Sequence, residues 1–481
     1  MATTVPVYRT TPTATTGMPP GIPFIVGNEA AERFSFYGMK AILVVFMTQY
    51  LLSSDGRPDF MTETTSREWM HMFVASAYFF PVIGGIVADA FLGKYLTILL
   101  LSLVYCVGHL CLALMDLPQP LLAATMEPRG WLLAGLALIA IGAGGIKPCV
   151  SAHVGDQFGR SNGHLLERVF GWFYFAINFG SFFSTLLTPW LLEHHGPGWA
   201  FGVPGILMAV ATVVFWLGRH RFVHVPPRGP AYFQETFGAE GLGAIARLVP
   251  LYLLVAVFWS LYDQTGGAWV QQAERMDRTF LGREWYASQI QAINPLLVLA
   301  FIPLFGMVIY PAVGRLVPFT PLRRILVGFL LAVAAFAISA RAQGLIDAES
   351  ARLAAGGLGP EAARWPSVAW QFAAYVVITA AEILVSITCL EFSYTQAPPQ
   401  MKSLVMSLYL LSISLGNLFT AAVNFLTRDA SGESTLTGAS YYWFFTACMA
   451  VATALLVPVV LRFKPRVYLQ QEADAPSARP G

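Results

Sequence analysis

The chain has 481 residues, 56% of them hydrophobic and 12% charged, with a formal net charge of +2. Soluble domains carry about 25% charged residues, so this composition excludes an ordinary soluble enzyme and predicts an all-α integral membrane protein with little mass outside the bilayer. With no basic stripe outside the apolar stretches, nucleic acid is excluded as a partner.

Residues 1–21 are rich in Thr and Pro and carry only Arg9, without a basic n-region ahead of a cleavable apolar core. They are expected to form a disordered tail, and the first span to be retained as an anchor. Windows of about 20 residues then predict twelve spans. They lie near 22–52, 69–92, 94–116, 131–156, 168–193 and 199–219, then 243–268, 286–311, 322–342, 366–396, 401–427 and 438–462. Residues 220–242, with Arg219 and Arg221 at its start, Arg228 and a Pro-Pro-Arg-Gly-Pro run, separate six spans (22–219) from six (243–462). Residues 463–481 read as a second tail. Two six-helix bundles joined by a basic linker resemble the major facilitator fold.

Short loops on one side hold Arg219, Arg221 and Arg228, then Arg315, Arg323 and Arg324, then Arg462, Lys464 and Arg466. The positive-inside rule therefore predicts cytoplasmic termini and a cytoplasmic linker in a multi-pass cell-membrane protein. Cys106, Cys111, Cys149, Cys389 and Cys448 fall in or beside spans and read as small buried hydrophobes. Gly142, Gly144 and Gly145 precede Lys147 without the Ser/Thr of a phosphate-binding loop, so helix packing is their expected role. No cofactor or metal site is expected. The energy for any transport then comes from an ion gradient or from the substrate's own gradient.

The first span is the unusual one, because Glu29, Glu32, Arg33 and Lys40 interrupt it. Each ionised group at the bilayer centre costs about 2.5–3.5 kcal/mol on an insertion scale, so the four must pair or face a wet interior. Glu29, Glu32 and Arg33 stand at i, i+3 and i+4 and share a helix face. Lys147, Asp263, Glu382 and Glu391 add charges in the fourth, seventh and tenth spans. Five carboxyls against three cations require protonated carboxyls or a bound cation, which suits a proton carrier. Sodium stays open, although no oxygen-rich unwound segment argues for it.

Glu29-Ala-Ala-Glu32-Arg33-Phe34-Ser-Phe36-Tyr37-Gly38 resembles the first-helix signature of the proton-dependent oligopeptide transporters. His71-Met-Phe-Val-Ala-Ser-Ala-Tyr78 and Gly84-Gly85-Ile-Val-Ala-Asp89 are similar to the animal peptide carriers. Gly144-Gly145-Ile-Lys147-Pro148, Phe173-Tyr174-Phe-Ala-Ile-Asn178, Phe258-Trp259-Ser-Leu-Tyr-Asp263, Asn294-Pro295 and Leu390-Glu391-Phe392 extend the resemblance in order along the chain.

The resemblance implies that Arg33, Lys40 and Lys147 face a peptide carboxylate, while Glu391, helped by Asn178 and Asn294, faces its amine. Tyr37, Tyr78 and Trp259 become adaptable walls. Lys40–Asp263 and Lys147–Glu391 become the two gating pairs, and Glu29, Glu32, Arg33, His71, Asp263 and Glu391 the proton-coupling set. Glu382 is left without a role. Phe36 replaces a common family Tyr, Lys40 a common Arg, and Gly306 an Asp of the animal carriers, which leaves Arg247 without its expected partner. The chain is also expected to lack the additional pair of linker helices of many bacterial members. The implied activity is proton-coupled symport of di- and tripeptides by alternating access, not enzymatic catalysis. Carriage of nitrate or another small organic anion, or a peptide-sensing receptor, are the alternatives.

Overall fold

The computed structural model of the protein describes residues 8–463, apart from 14, 118–120, 122–124, 160, 231, 234–237, 358, 397–401 and 430–433. The predicted C-terminal tail beyond 463 lies outside the described residues. Eleven described helices are long and apolar enough to cross a membrane: α2 (Glu63–Leu92), α3 (Lys94–Asp116), α4 (Pro128–Asp156), α5 (Gly171–His195), α6 (Pro197–His220), α7 (Ile245–Glu274), α8 (Ala287–Leu316), α9 (Pro321–Gly356), α10 (Ala369–Ser393), α11 (Val405–Leu426) and α12 (Gly438–Arg462). Ahead of them α1 (Ile22–Val45) carries the four charges and completes the expected twelve.

Each bundle buries its own core. In the first, Met39, Ile42, Phe73, Tyr105, Ile139 and Phe201 pack together; in the second, Phe258, Trp269, Phe329, Phe336, Tyr375 and Phe445 do so. Outward-facing Leu110, Leu133, Ile206, Met307, Val451 and Leu455 are exposed, the surface that a lipid solvent requires. The glycines act by close approach. A Cβ on Gly84 would stand 2.4 Å from the Gly145 Cα, so the α2 and α4 backbones touch and carry Lys147 towards the molecular centre.

Several boundaries differ from the sequence windows, and three have a clear physical reason or consequence. Helix α2 starts early because Thr62 caps it, accepting a hydrogen bond from the Thr65 amide at 3.2 Å. Helix α7 continues through a 3-10 turn, Asp263–Gly266, into Ala268–Glu274. Helix α9 runs 36 residues rather than stopping near 342. Its last turns are polar but rich in strong helix formers, and hydropathy reports bilayer thickness rather than where a helix ends. Asp347 on that extension accepts the Ala439 amide at 2.8 Å. Between α7 and α8, β1 (Thr279–Phe280) pairs antiparallel with β2 (Arg283–Glu284) across Leu281-Gly282, both at positive φ.

Part of the segment read as an N-terminal tail makes specific contacts with the rest of the chain. The Tyr8 ring stacks on His224 at 4.1 Å, and the His224 amide donates to the Arg9 carbonyl at 2.7 Å. Ser161 donates to the Thr15 carbonyl at 2.9 Å and Asn162 to that of Gly17 at 3.1 Å. Thr/Pro-rich composition cannot form a core alone, but here it docks as a strap on the α4–α5 loop and the start of the linker. The linker itself runs beneath α2, where the Arg228 amide meets the Asp89 carbonyl at 2.8 Å.

At the opposite end the bundles are sealed to each other. Arg275 pairs with Glu63 at 2.7 Å, Arg428 with Glu68 at 3.0 Å, and Gln49 donates to Glu274 at 2.8 Å. Arg67 reaches Gln271 at 2.8 Å and Asn424 at 3.3 Å.

Candidate transport cavity

A cavity of about 460 Å³ lies within the sealed end, and a larger one of about 680 Å³ occupies the centre between the bundles. The central cavity descends past Ser151 and Ala152 to Asp89 and Lys94 beside the linker. There Tyr174 on its wall is 42% exposed, whereas Lys40 and Asp263 at its top are buried. It is therefore open at the linker end and closed at the other.

Cations enter from the first bundle. On α1, Arg33 donates through Nε to Glu29 at 2.7 Å and lies 3.3 Å from Glu32. Arg33 lines the cavity while the two glutamates sit fully buried behind it. Two turns along, Lys40 Nζ meets Asp263 Oδ1 at 2.7 Å, closing the top with one side chain from each bundle. Lys147 on α4 takes a different arrangement. Its Nζ lies 3.7 Å from the centroid of the Phe36 ring and 4.3 Å from that of Tyr78, and has no hydrogen-bond acceptor among the described residues. Ring quadrupoles support a desolvated cation by about 2 kcal/mol or more, so Phe36 supplies a face where the family's Tyr would supply a hydroxyl.

The anion comes from the second bundle, and it is not the predicted one. Glu391 is exposed and absent from the lining. The cavity face of α10 is the stripe Tyr375, Glu382, Ile383, Ser386, Ile387 and Leu390, at helical spacings. Glu391 follows Leu390 by one residue and is turned out of that face. Glu382 takes its place, accepting from Asn294 Nδ2 at 2.9 Å; the same amide donates to Thr379 at 3.0 Å. The predicted Lys147–Glu391 pair is thus absent, and Asn294 serves Glu382. Asn178 lines the wall of α5 and donates to the Tyr174 carbonyl at 2.9 Å. Tyr37, Tyr78 and Trp259 line the cavity.

His71 stands outside the lining, fully buried above Asp263. Its Nδ1 is 2.7 Å from Asn417 Oδ1, and Asn417 Nδ2 donates to Asp263 Oδ2 at 2.7 Å. Asn417 escaped the sequence reading and Glu382 has no role in it, yet both carry a signal. On α11 Ser407, Ser414, Asn417, Thr420 and Asn424 form a polar stripe at helical spacing in an apolar helix. On α10 Tyr375, Thr379, Glu382 and Ser386 do the same. Arg247 donates to the Gly243 carbonyl at 3.3 Å, and a Cβ on Gly306 would meet nothing within 4 Å.

The POT family sequence profile matches residues 95–240 and 232–444. The chain belongs to the POT family. Peptide transporter family 1 of Drosophila melanogaster is 38% identical over 362 residues, covering 67% of this chain and 47% of that protein. Human solute carrier family 15 member 2 is 39% identical over 363 residues, covering 67% and 48%. This POT family member thus spans about half the length of the relatives it matches. Among solved structures, the POT family transporter PepTSo superposes with a TM-score of 0.80 at 33% identity, covering 92% of this chain and 98% of that one. An auto-inhibited POT family peptide transporter gives 0.79 at 34%, covering 96% and 99%. The fold is that of the major facilitator transporters, and the chain is a multi-pass membrane protein.

Proposed function

We propose that this POT family member is a proton-coupled symporter that imports di- and tripeptides across the cell membrane. In this reading the termini and the linker are cytoplasmic, and the central cavity is open inward. The observation that carries the reading is the division of charge across one cavity: Arg33, Lys40 and Lys147 on the first bundle, Glu382 with Asn294 on the second. A short peptide is a zwitterion, so its carboxylate is drawn to one bundle and its ammonium to the other. Binding then bridges the two moving bodies, which a nitrate ion, lacking a cationic end, cannot do. Relatives named as peptide transporters support the same reading over a receptor.

Head-group recognition leaves the peptide side chains to Tyr37, Tyr78 and Trp259, whose broad faces tolerate varied shapes. Glu29 and Glu32, held behind Arg33, are the carboxyls nearest the carboxylate end. Protonating one releases Arg33 towards the substrate, which links proton binding to peptide binding. Inward movement of a proton gains about 2.3 kcal/mol per 100 mV of inside-negative potential. Alternating access follows when Lys40–Asp263 and the outer pairs part and the linker end closes.

The test uses the purified protein in proteoliposomes. An acid-outside gradient accumulates labelled dialanine, and unlabelled di- and tripeptides compete while tetrapeptide and nitrate do not. Uptake indifferent to the gradient rejects proton coupling; competition by nitrate rejects the peptide site.

A further inference from the structure

We infer that Asn417 is the positioning residue that makes His71 and the Lys40–Asp263 pair one unit, an inference that rests on the proton-coupled reading above. The geometry fixes the direction of each bond. Asp263 Oδ2 can only accept, and Asn417 Nδ2, 2.7 Å away, also donates to the Ile413 carbonyl at 3.0 Å. The amide oxygen is therefore the atom turned to His71, and it accepts from Nδ1–H at 2.7 Å. Neutral His71 thus carries its proton on Nδ1 and offers Nε2 as the basic atom.

That Nε2 is buried without a hydrogen-bond partner among the described residues and points at Gly267, where a Cβ would stand 3.7 Å away. Gly267 lies beside Ala268 and Gln271, which line the cavity within the sealed end together with Arg67, one helical turn from His71. Nε2 therefore faces the sealed end while Nδ1 faces the central gate. The charged groups acting on the ring are Asp263 from α7, Lys40 from α1 and Arg67 from α2; α11 contributes only the neutral Asn417.

A proton taken up at Nε2 turns the ring into a cation one amide away from Asp263. The Nδ1–H to Oδ1 bond strengthens and polarises the amide, which strengthens Nδ2–H to Asp263 in turn. Lys40 then shares its carboxylate with a competing donor, and the gate loosens. No proton crosses the amide. Asn417 holds orientation and transmits charge.

The experiment compares wild type, Asn417→Leu, His71→Gln and the double variant in proteoliposomes, measuring gradient-driven dialanine uptake against gradient-free counterflow. The expected result for N417L is a fall of at least tenfold in the ratio of driven uptake to counterflow, with the acid stimulation flattened. The double variant is expected within twofold of H71Q alone, because residues acting as one unit are non-additive. A purely structural Asn lowers both rates together, leaving the ratio and the pH profile unchanged, and overturns the inference. Wild type without gradient stimulation overturns the functional reading instead. Should N417L fail to fold, ¹⁵N imidazole spectra of wild type in nanodiscs decide, with His71 assigned by its loss in H71Q. The Nδ1–H tautomer is expected; an Nε2–H tautomer overturns the inference.

Discussion

Replacing Lys40 with Met leaves Asp263 buried at 4% exposure with its main counter-ion gone. Removing one partner of a buried ion pair costs about 3–5 kcal/mol, because the remaining charge is left uncompensated. Asp263 keeps the Asn417 donor at 2.7 Å, so the lower end, about 3 kcal/mol, is the relevant figure. Since Lys40 and Asp263 sit on opposite bundles, that cost falls on the sealed conformation and not on either bundle alone. At 1.4 kcal/mol per decade, the balance moves by about a hundredfold away from the sealed state. Spin labels at Arg57 and Leu281, exposed loop positions of the two bundles at the sealed end, report the change as a longer distance population once the free cysteines are replaced. Asp263→Asn in the K40M background removes the orphaned charge and restores most of the short distance. A distance distribution unchanged in K40M, and no recovery in the double variant, would refute the reasoning.

Glu382→Gln removes a charge-assisted contact worth about 1.5–3 kcal/mol, so the apparent affinity for dialanine falls by about ten- to a hundredfold, whereas Glu391→Gln stays within about twofold. Uptake saturation curves for the two variants decide between the carboxyls, and a reversed order restores Glu391. At the linker end, partial burial lowers the pKa of His224, with its neighbour His220 adding to the effect. A histidine held neutral in the docked state stabilises docking above its ordinary pKa, and that stabilisation is lost as pH falls below about 6.5. The protection of the amides over residues 8–17, after correction for the intrinsic slowing of exchange by acid, is therefore expected to fall between pH 7 and pH 5, and His224→Phe to abolish the dependence. Protection that rises on acidification contradicts the assignment.

The spans were legible because bilayer crossing is written locally, in runs of apolar residues, and the charges of α1 stood out against them. The Lys40–Asp263 pair was also reachable, since motifs in order along the chain fix which helices carry which charges. What failed was finer. Choosing between Glu382 and Glu391 needed the rotation of α10 about its axis, which depends on its packing against α8 and α9. Its polar stripe through Thr379 and Ser386 carried that rotation, but a search by motif reads past it. Asn417 is uncharged, so a search for buried ions passes over the residue that joins two of them. The N-terminal strap was illegible for another reason: Tyr8 and Thr15 find their partners more than a hundred residues away.

Lys147 is cradled by two aromatic faces and has no paired carboxylate among the described residues. An incoming anion need not evict a resident carboxylate before it can bind, as it must at Lys40. In the proposed transport cycle, a carboxylate that binds Lys147 thus displaces only ring faces, and exchange there requires no ion pair to be broken and remade.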